Sequence, residues 1–220
     1  MSKSAIAGAS TSTAADDDRE LVLETGPRPI STRTMGWLFV VLGAIGFAAS
    51  LALSIERYLK LVNPDHVAAC SLNVFLDCGP AMGSWQGTLL GFPNPFLGVA
   101  AFPVVVTTGV VLLLGARLPR WYWLALLGGT TLGLGLVVFL VWTSLYALVV
   151  LCPYCMVVWA VVLPLFWYQV VHAVQEGYLP ASDGVRRTLV GNRHVFLAIG
   201  YVALIAWVLL VMGPHIVASL

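Results

Sequence analysis

The stretch that decides the fold is residues 121–171, WYWLALLGGTTLGLGLVVFLVWTSLYALVVLCPYCMVVWAVVLPLFWYQVV, which contains no Asp, Glu, Lys or Arg. As one helix its 51 residues would extend roughly 75 Å, more than two hydrocarbon cores. The run must therefore fold back on itself. The proline nearest its middle is Pro153. Proline suits the first turn of a helix, where its missing N–H would lack an intrahelical partner in any case. The reversal thus falls at about 148–152, between a span over about 122–147 and another over about 153–172.

The remainder of the chain agrees with a membrane setting. Its 220 residues are 60% hydrophobic and only 10% charged, where soluble domains carry about 25% charged residues. The mean hydropathy is +0.93. Residues 36–55 form a charge-free run of roughly 20 residues, the length of a bilayer core and longer than a signal-peptide apolar region. Further spans fall at about 95–115 and 195–212. The expectation is an all-α integral membrane protein with five transmembrane helices, four of them (34–172) forming one bundle. Residues 1–33, rich in Ser, Thr and Ala with an acidic knot at Asp16, Asp17 and Asp18, read as a disordered tail. Residues 173–194 read as a polar loop, and 195–220 carry the fifth helix. The segment 59–92 is too broken, by Asn63-Pro64 and Gly79-Pro80, to span a bilayer. It is also too apolar for a solvated loop, so a short helix and loop at the membrane surface are expected. No Lys/Arg cluster with interleaved aromatics suggests a nucleic-acid surface, and four cysteines are too few for a disulfide-stapled mini-fold.

Basic residues set the orientation. With five spans, Lys3, Arg19, Arg28, Arg33, Arg117, Arg120, Arg186, Arg187 and Arg193 share one side, and only Arg57 and Lys60 lie on the other. The positive-inside bias then puts the N-terminus in the cytosol of a plasma-membrane protein. Both cysteine pairs, Cys70 with Cys78 and Cys152 with Cys155, fall on the outer side, where disulfides persist.

Cys152-Pro153-Tyr154-Cys155 opens a helix, with Cys152 at the N-cap and Cys155 in the first turn. Free backbone N–H groups and the positive helix end favour a thiolate there. The pattern points to thiol–disulfide exchange. A structural disulfide and a four-cysteine zinc site are the alternatives, the second disfavoured by the long Cys70–Cys78 spacing. Asp77 beside Cys78 disfavours a thiolate at that position. A mobile surface segment bearing Cys70 and Cys78 would take electrons from a soluble partner and carry them inward. The spans hold no paired haem-ligand histidines, Gly-rich nucleotide loop or Fe–S spacing, so the acceptor is expected to be a lipid-soluble quinone.

The order of motifs carries a resemblance. Cys70-x7-Cys78 is followed six residues later by Ser84, then by Gly91-Phe92-Pro93-Asn94-Pro95-Phe96-Leu97-Gly98, then by Cys-Pro-Tyr-Cys at the start of a later helix. This set resembles the vitamin K epoxide reductase family, in particular its bacterial, actinobacterial-type members, over about 36–171. The resemblance implies a four-helix bundle around a quinone of menaquinone or ubiquinone type. Cys155 would engage the quinone, Cys152 would exchange with Cys78, and Cys70 would receive electrons from a thioredoxin-like (DsbA-type) protein outside the cytosol. Asn94 matches the family asparagine that hydrogen-bonds a quinone oxygen, and Ser84 matches the loop serine. Animal members carry a tyrosine where this chain has Trp159, whose indole N–H is a donor only. Some bacterial members carry a fused thioredoxin-like domain; here the partner is expected to be a separate protein. The rival from another class is a non-catalytic scaffold with two structural disulfides.

Other residues are secondary candidates. Phe96 and Trp159, with Trp85, Phe92, Trp142, Tyr146 and Tyr154, are candidates for lining a quinone pocket. Trp121, Tyr122 and Trp123 read as an interface anchor. His66 is a candidate proton carrier or a surface histidine. Gly128, Gly129, Gly133 and Gly135 suggest close helix packing.

Overall fold

The computed structural model describes residues 29–218 apart from Val74 and Leu90, with side chains described as far as Pro214. Most of the stretch read as a tail, up to residue 28, lies outside the described residues. The elements are α1 (Thr32–Val62), α2 (Gly79–Gly83), a 3-10 turn (Trp85–Thr88), α3 (Pro95–Leu113), α4 (Arg120–Trp142), α5 (Pro153–Gln175), α6 (Asp183–Gly191) and α7 (Arg193–Ala218). A π-helical turn, Thr143–Leu148, continues α4. Among the described residues five helices are long and apolar enough to cross a membrane: Thr32–Val62, Pro95–Leu113, Arg120–Leu148, Pro153–Gln175 and Arg193–Pro214. The chain is an all-α, multi-pass membrane protein.

Local chemistry sets the helix ends. The Ser31 hydroxyl caps α1 by accepting from the Thr34 N–H at 3.1 Å. Pro95 and Pro153 open α3 and α5. Pro103 and Pro164 sit inside these two helices; the Ala160 carbonyl, which Pro164 leaves without its helical donor, accepts from the Tyr201 hydroxyl of α7.

α1 is the hub and packs on both α3 and α5; α5 in turn holds α4 and touches α7. Glycines bring α1 and α3 together. A Cβ on Gly109 would fall 2.7 Å from the Gly36 carbonyl oxygen and 2.8 Å from the Val40 nitrogen. Gly46 lies against the Phe102 ring, and Gly98 against the Ser50 hydroxyl. Gly109→Val is therefore expected to destabilise the protein by about 1–3 kcal/mol, the usual cost of overpacking. Gly128→Val, with nothing within 4 Å of its Cβ, should stay within about 0.5 kcal/mol. Thermal unfolding in detergent checks both.

That contrast corrects one expectation. A Cβ at Gly128, Gly129, Gly133 or Gly135 meets no neighbour within 4 Å, so these glycines do not pack helices. Gly129 and Gly133 line a cavity instead. α3 and α4 are not a closely packed pair; a hydrogen bond of 2.6 Å between the Thr108 and Tyr122 hydroxyls links them. The anchor reading of residues 121–123 also changes. Trp123 is buried, its ring 4.2 Å from that of His172 and 6.0 Å from that of Phe39. Only Trp121 stays exposed.

The segment between α1 and α3 is tied down. The His66 ring donates from Nε2 to the Glu56 carboxylate at 2.8 Å. The Arg57 guanidinium donates to the Met82 carbonyl. An isolated parallel bridge joins Leu76 to Leu151: the Leu151 N–H donates to the Phe75 carbonyl at 2.8 Å and the Asp77 N–H to the Leu151 carbonyl at 3.1 Å. A short helix and loop bearing a mobile cysteine pair were expected here; α2 and the 3-10 turn lie in this segment, and three attachments hold it against the helix ends.

Candidate active site

The reversal between α4 and α5 is built by an unusual backbone. The π turn ends at Val149 with φ 54°, a left-handed conformation that a β-branched residue rarely adopts. The Val150 N–H returns to the Ser144 carbonyl at 3.1 Å. The chain then runs extended through Leu151, where the bridge forms, to Cys152 at the α5 N-cap. The bridge lays residues 75–77 beside Leu151, and this brings Cys78 onto Cys152.

The four cysteines form a line. Cys70 and Cys78 are joined by a disulfide. The Cys78 sulfur lies 3.1 Å from the Cys152 sulfur. Cys152 and Cys155 are free, and of the two only Cys155 lines the cavity. Cys70, Cys78 and Cys152 are buried together with Leu53, Ala68 and Met82. Asp77 is committed to its own loop: its carboxylate accepts from the Ser71 hydroxyl and from the Gly79 N–H.

Cys152 stands in the turn between the two membrane-spanning segments. Its thiol is held below the ordinary thiol value, chiefly by a hydrogen bond with the Cys155 side chain and further by the backbone N–H groups of Cys155 and Tyr154. Burial and the Asp77 charge oppose this. The thiolate is thus present at pH values where an ordinary thiol is still protonated. Thiolate absorbance near 240 nm checks the cause. In Cys155→Ala, which removes the largest contribution, the Cys152 transition is expected to move to higher pH.

The cavity has a volume of about 500 Å³ and runs between α1, α3, α4 and α5 under α2 and the 3-10 turn. Cys155, Asn94, Ser84 and Trp159 all line it. Trp159 is buried and its indole N–H has no hydrogen-bond partner, an unspent donor on a residue that lines this space. The Asn94 amide is half used: Nδ2 donates to the Gln86 carbonyl at 2.6 Å and Oδ1 accepts from the Leu89 N–H at 3.1 Å. An amide NH₂ has two donors, so one N–H remains. Ser84 has no proton to spare, because its hydroxyl donates to the Ala81 carbonyl at 3.1 Å and accepts from the Gly87 N–H at 3.2 Å. Its place is that of a cap for the 3-10 turn.

Phe96 does not line the cavity and is exposed. Asn94 at the α3 N-cap and Leu97, Gly98, Ala101, Phe102, Val104 and Val105 on the helix are among the lining residues, and position 96 falls on the opposite face. Nor do Trp85, Phe92, Trp142, Tyr146 or Tyr154 line it. Trp142 and Tyr146 stack at 6.0 Å, and the Trp207 indole donates to the Tyr146 hydroxyl at 3.2 Å, tying α7 to the π turn. Thr143 and Arg57 are among the lining residues that the sequence reading did not single out as site candidates. Thr143 is buried with an unpartnered hydroxyl, and Arg57 entered the sequence reading as one of the two basic residues on the outer side.

A buried disulfide, a free thiol in contact with it, and a second thiol opening on an apolar intramembrane cavity define a membrane thiol–disulfide oxidoreductase. A model of the vitamin K epoxide reductase family matches residues 37–170, and the chain belongs to that family. No curated protein matches the chain.

Proposed function

We propose that the protein takes two electrons from the reduced cysteine pair of a separate thioredoxin-like (DsbA-type) protein and delivers them to a membrane quinone, so that the partner can oxidise exported proteins. The observation that carries this reading is the division of labour in Cys152–Cys155: one sulfur touches Cys78, the other opens on the cavity. A bound quinone supplies the two-electron, two-proton sink. The apolar cavity, the unpartnered Trp159 N–H and the spare Asn94 N–H suit a flat ring with carbonyl acceptors.

The residues act in sequence. A partner thiolate attacks Cys70, Cys78 leaves as thiolate, and the partner's second thiol closes the partner's disulfide and frees Cys70. Cys78 then attacks Cys152 of a Cys152–Cys155 disulfide, and Cys155 leaves as thiolate. Cys70 attacks Cys78, which remakes the Cys70–Cys78 bond and frees Cys152. The electron pair now sits on Cys152 and Cys155. The bond pattern of the structure, Cys70–Cys78 joined with Cys152 and Cys155 free, corresponds to this point of the cycle. Cys155 gives up the pair at the cavity, with the Trp159 and Asn94 N–H groups holding the acceptor's oxygens, and Cys152 closes the disulfide. Cys70 is buried, so partner access requires the loop held by the Glu56–His66 contact to give way.

The distribution of basic residues supports a cytosolic N-terminus in the plasma membrane, with the cysteines outside. The test is turnover in lipid nanodiscs with a menaquinone- or ubiquinone-type quinone and a reduced thioredoxin-like protein. Quinol is expected to form one for one with the partner's disulfide. A scaffold stiffened by disulfides would turn over neither, and absence of turnover with any quinone, using reduced partner or a small dithiol, overturns the proposal.

A further inference from the structure

One charged group at the cavity has no part in the cysteine relay. Arg57 lies on α1 with Ser50 and Leu53, spaced so that all three share the helix face lining the cavity. Leu53 also packs in the cluster holding Cys70, Cys78 and Cys152, so Arg57 is about one helical turn from the cysteine end. Its guanidinium is always protonated and carries five N–H donors. One nitrogen donates to the Met82 carbonyl, while the buried Nε has no partner.

No carboxylate among the described residues lies within ion-pair distance of it. Glu56 on the same helix pairs with His66 at 2.8 Å. Asp77 is bound to Ser71 and to the Gly79 N–H. Lys60, the other cation of this end, donates to the His66 carbonyl at 3.4 Å. A cation facing apolar walls without a counterion attracts an anion far more strongly than it would in water.

We infer that Arg57 makes the cysteine end of the cavity a subsite for an anionic oxygen on a quinoid ring, so that the site takes acidic hydroxyquinones in their ionised form in preference to neutral ones. This rests on the quinone reading above. The same charge lowers the cost of placing negative charge on a headgroup oxygen when electrons arrive from Cys155.

The test is equilibrium binding to the full chain in nanodiscs of neutral lipid, read by tryptophan fluorescence quenching. The probes are 2-hydroxy-1,4-naphthoquinone, ionised at neutral pH, and its uncharged 2-methoxy counterpart. Arg57→Gln is expected to weaken the hydroxyquinone by about 10- to 100-fold, the scale of a hydrogen bond to a charged group, and the methoxyquinone by less than about threefold. Arg57→Lys should retain most of the preference. On the native chain, lowering the pH until the hydroxyquinone is protonated should erase its advantage while methoxyquinone affinity stays level. Equal losses for both probes in Arg57→Gln would make Arg57 only a tie between α1 and α2, and the inference falls. It falls too if the hydroxyquinone preference persists in Arg57→Gln. If neither probe binds the native chain, the quinone reading fails first and this subsite with it.

Discussion

Replacing Cys155 with alanine is expected to stop quinone reduction and to make a Cys78–Cys152 disulfide trappable. The loss should be on the order of 10³-fold or more, as for other groups that act on the reacting atoms. Cys155 is the only cysteine lining the cavity, so nothing else in the relay can hand electrons across. The second effect follows from the 3.1 Å contact between Cys78 and Cys152. When Cys152 attacks Cys78 it releases Cys70, and in the native chain Cys155 resolves the new bond by attacking Cys152. Without Cys155 only Cys70 can reverse the step. Alkylating the freed Cys70 blocks that reversal, and proteolysis with mass spectrometry should then find Cys78 linked to Cys152. Native-rate quinone reduction in Cys155→Ala, or no such crosslink after alkylation, would refute the relay.

The helices were legible in the sequence because their signal is compositional. A charge-free run too long for one crossing had to reverse, and Pro153 showed where. The cysteine pairs were legible through spacing, and Trp159 through the resemblance, which puts it where animal members carry a tyrosine; the structure places it with Cys155, Val158 and Val162 along the cavity. What positions the sulfurs was not. The π turn and the left-handed Val149 occur in a stretch with no Gly, Asn or Asp to announce them. The Leu76–Leu151 bridge is one residue long, so it leaves no alternation of apolar and polar positions. The glycines of α4 misled for a related reason: small residues permit close packing and equally permit empty space, and only the neighbours decide. Phe96 misled because motif membership says nothing about which way a side chain leaves its helix.

The bridge yields the second large effect. Leu151→Pro removes the N–H that donates to the Phe75 carbonyl at 2.8 Å and leaves only the return bond from Asp77. Those two bonds hold the strand bearing Cys78 against the chain that enters Cys152. Thiol–disulfide exchange needs the attacking sulfur in line with the bond it breaks, and a displacement of about 1 Å can cost about 10²-fold. Quinone reduction driven by the thioredoxin-like partner is therefore expected to fall by about 10²-fold or more. A small membrane-permeant dithiol reaches Cys155 through the cavity and needs no alignment of Cys78, so quinone reduction driven by it should change only a few-fold. Leu151→Val keeps the N–H and most of the buried side chain and should behave as the native chain with both reductants. This split separates the bridge from simple misfolding, which would lower both rates together. If Leu151→Pro and Leu151→Val respond alike, the backbone bonds do not align the sulfurs, and the contact between Cys78 and Cys152 must be maintained by the packing of Leu53, Met82 and Ala68 around them.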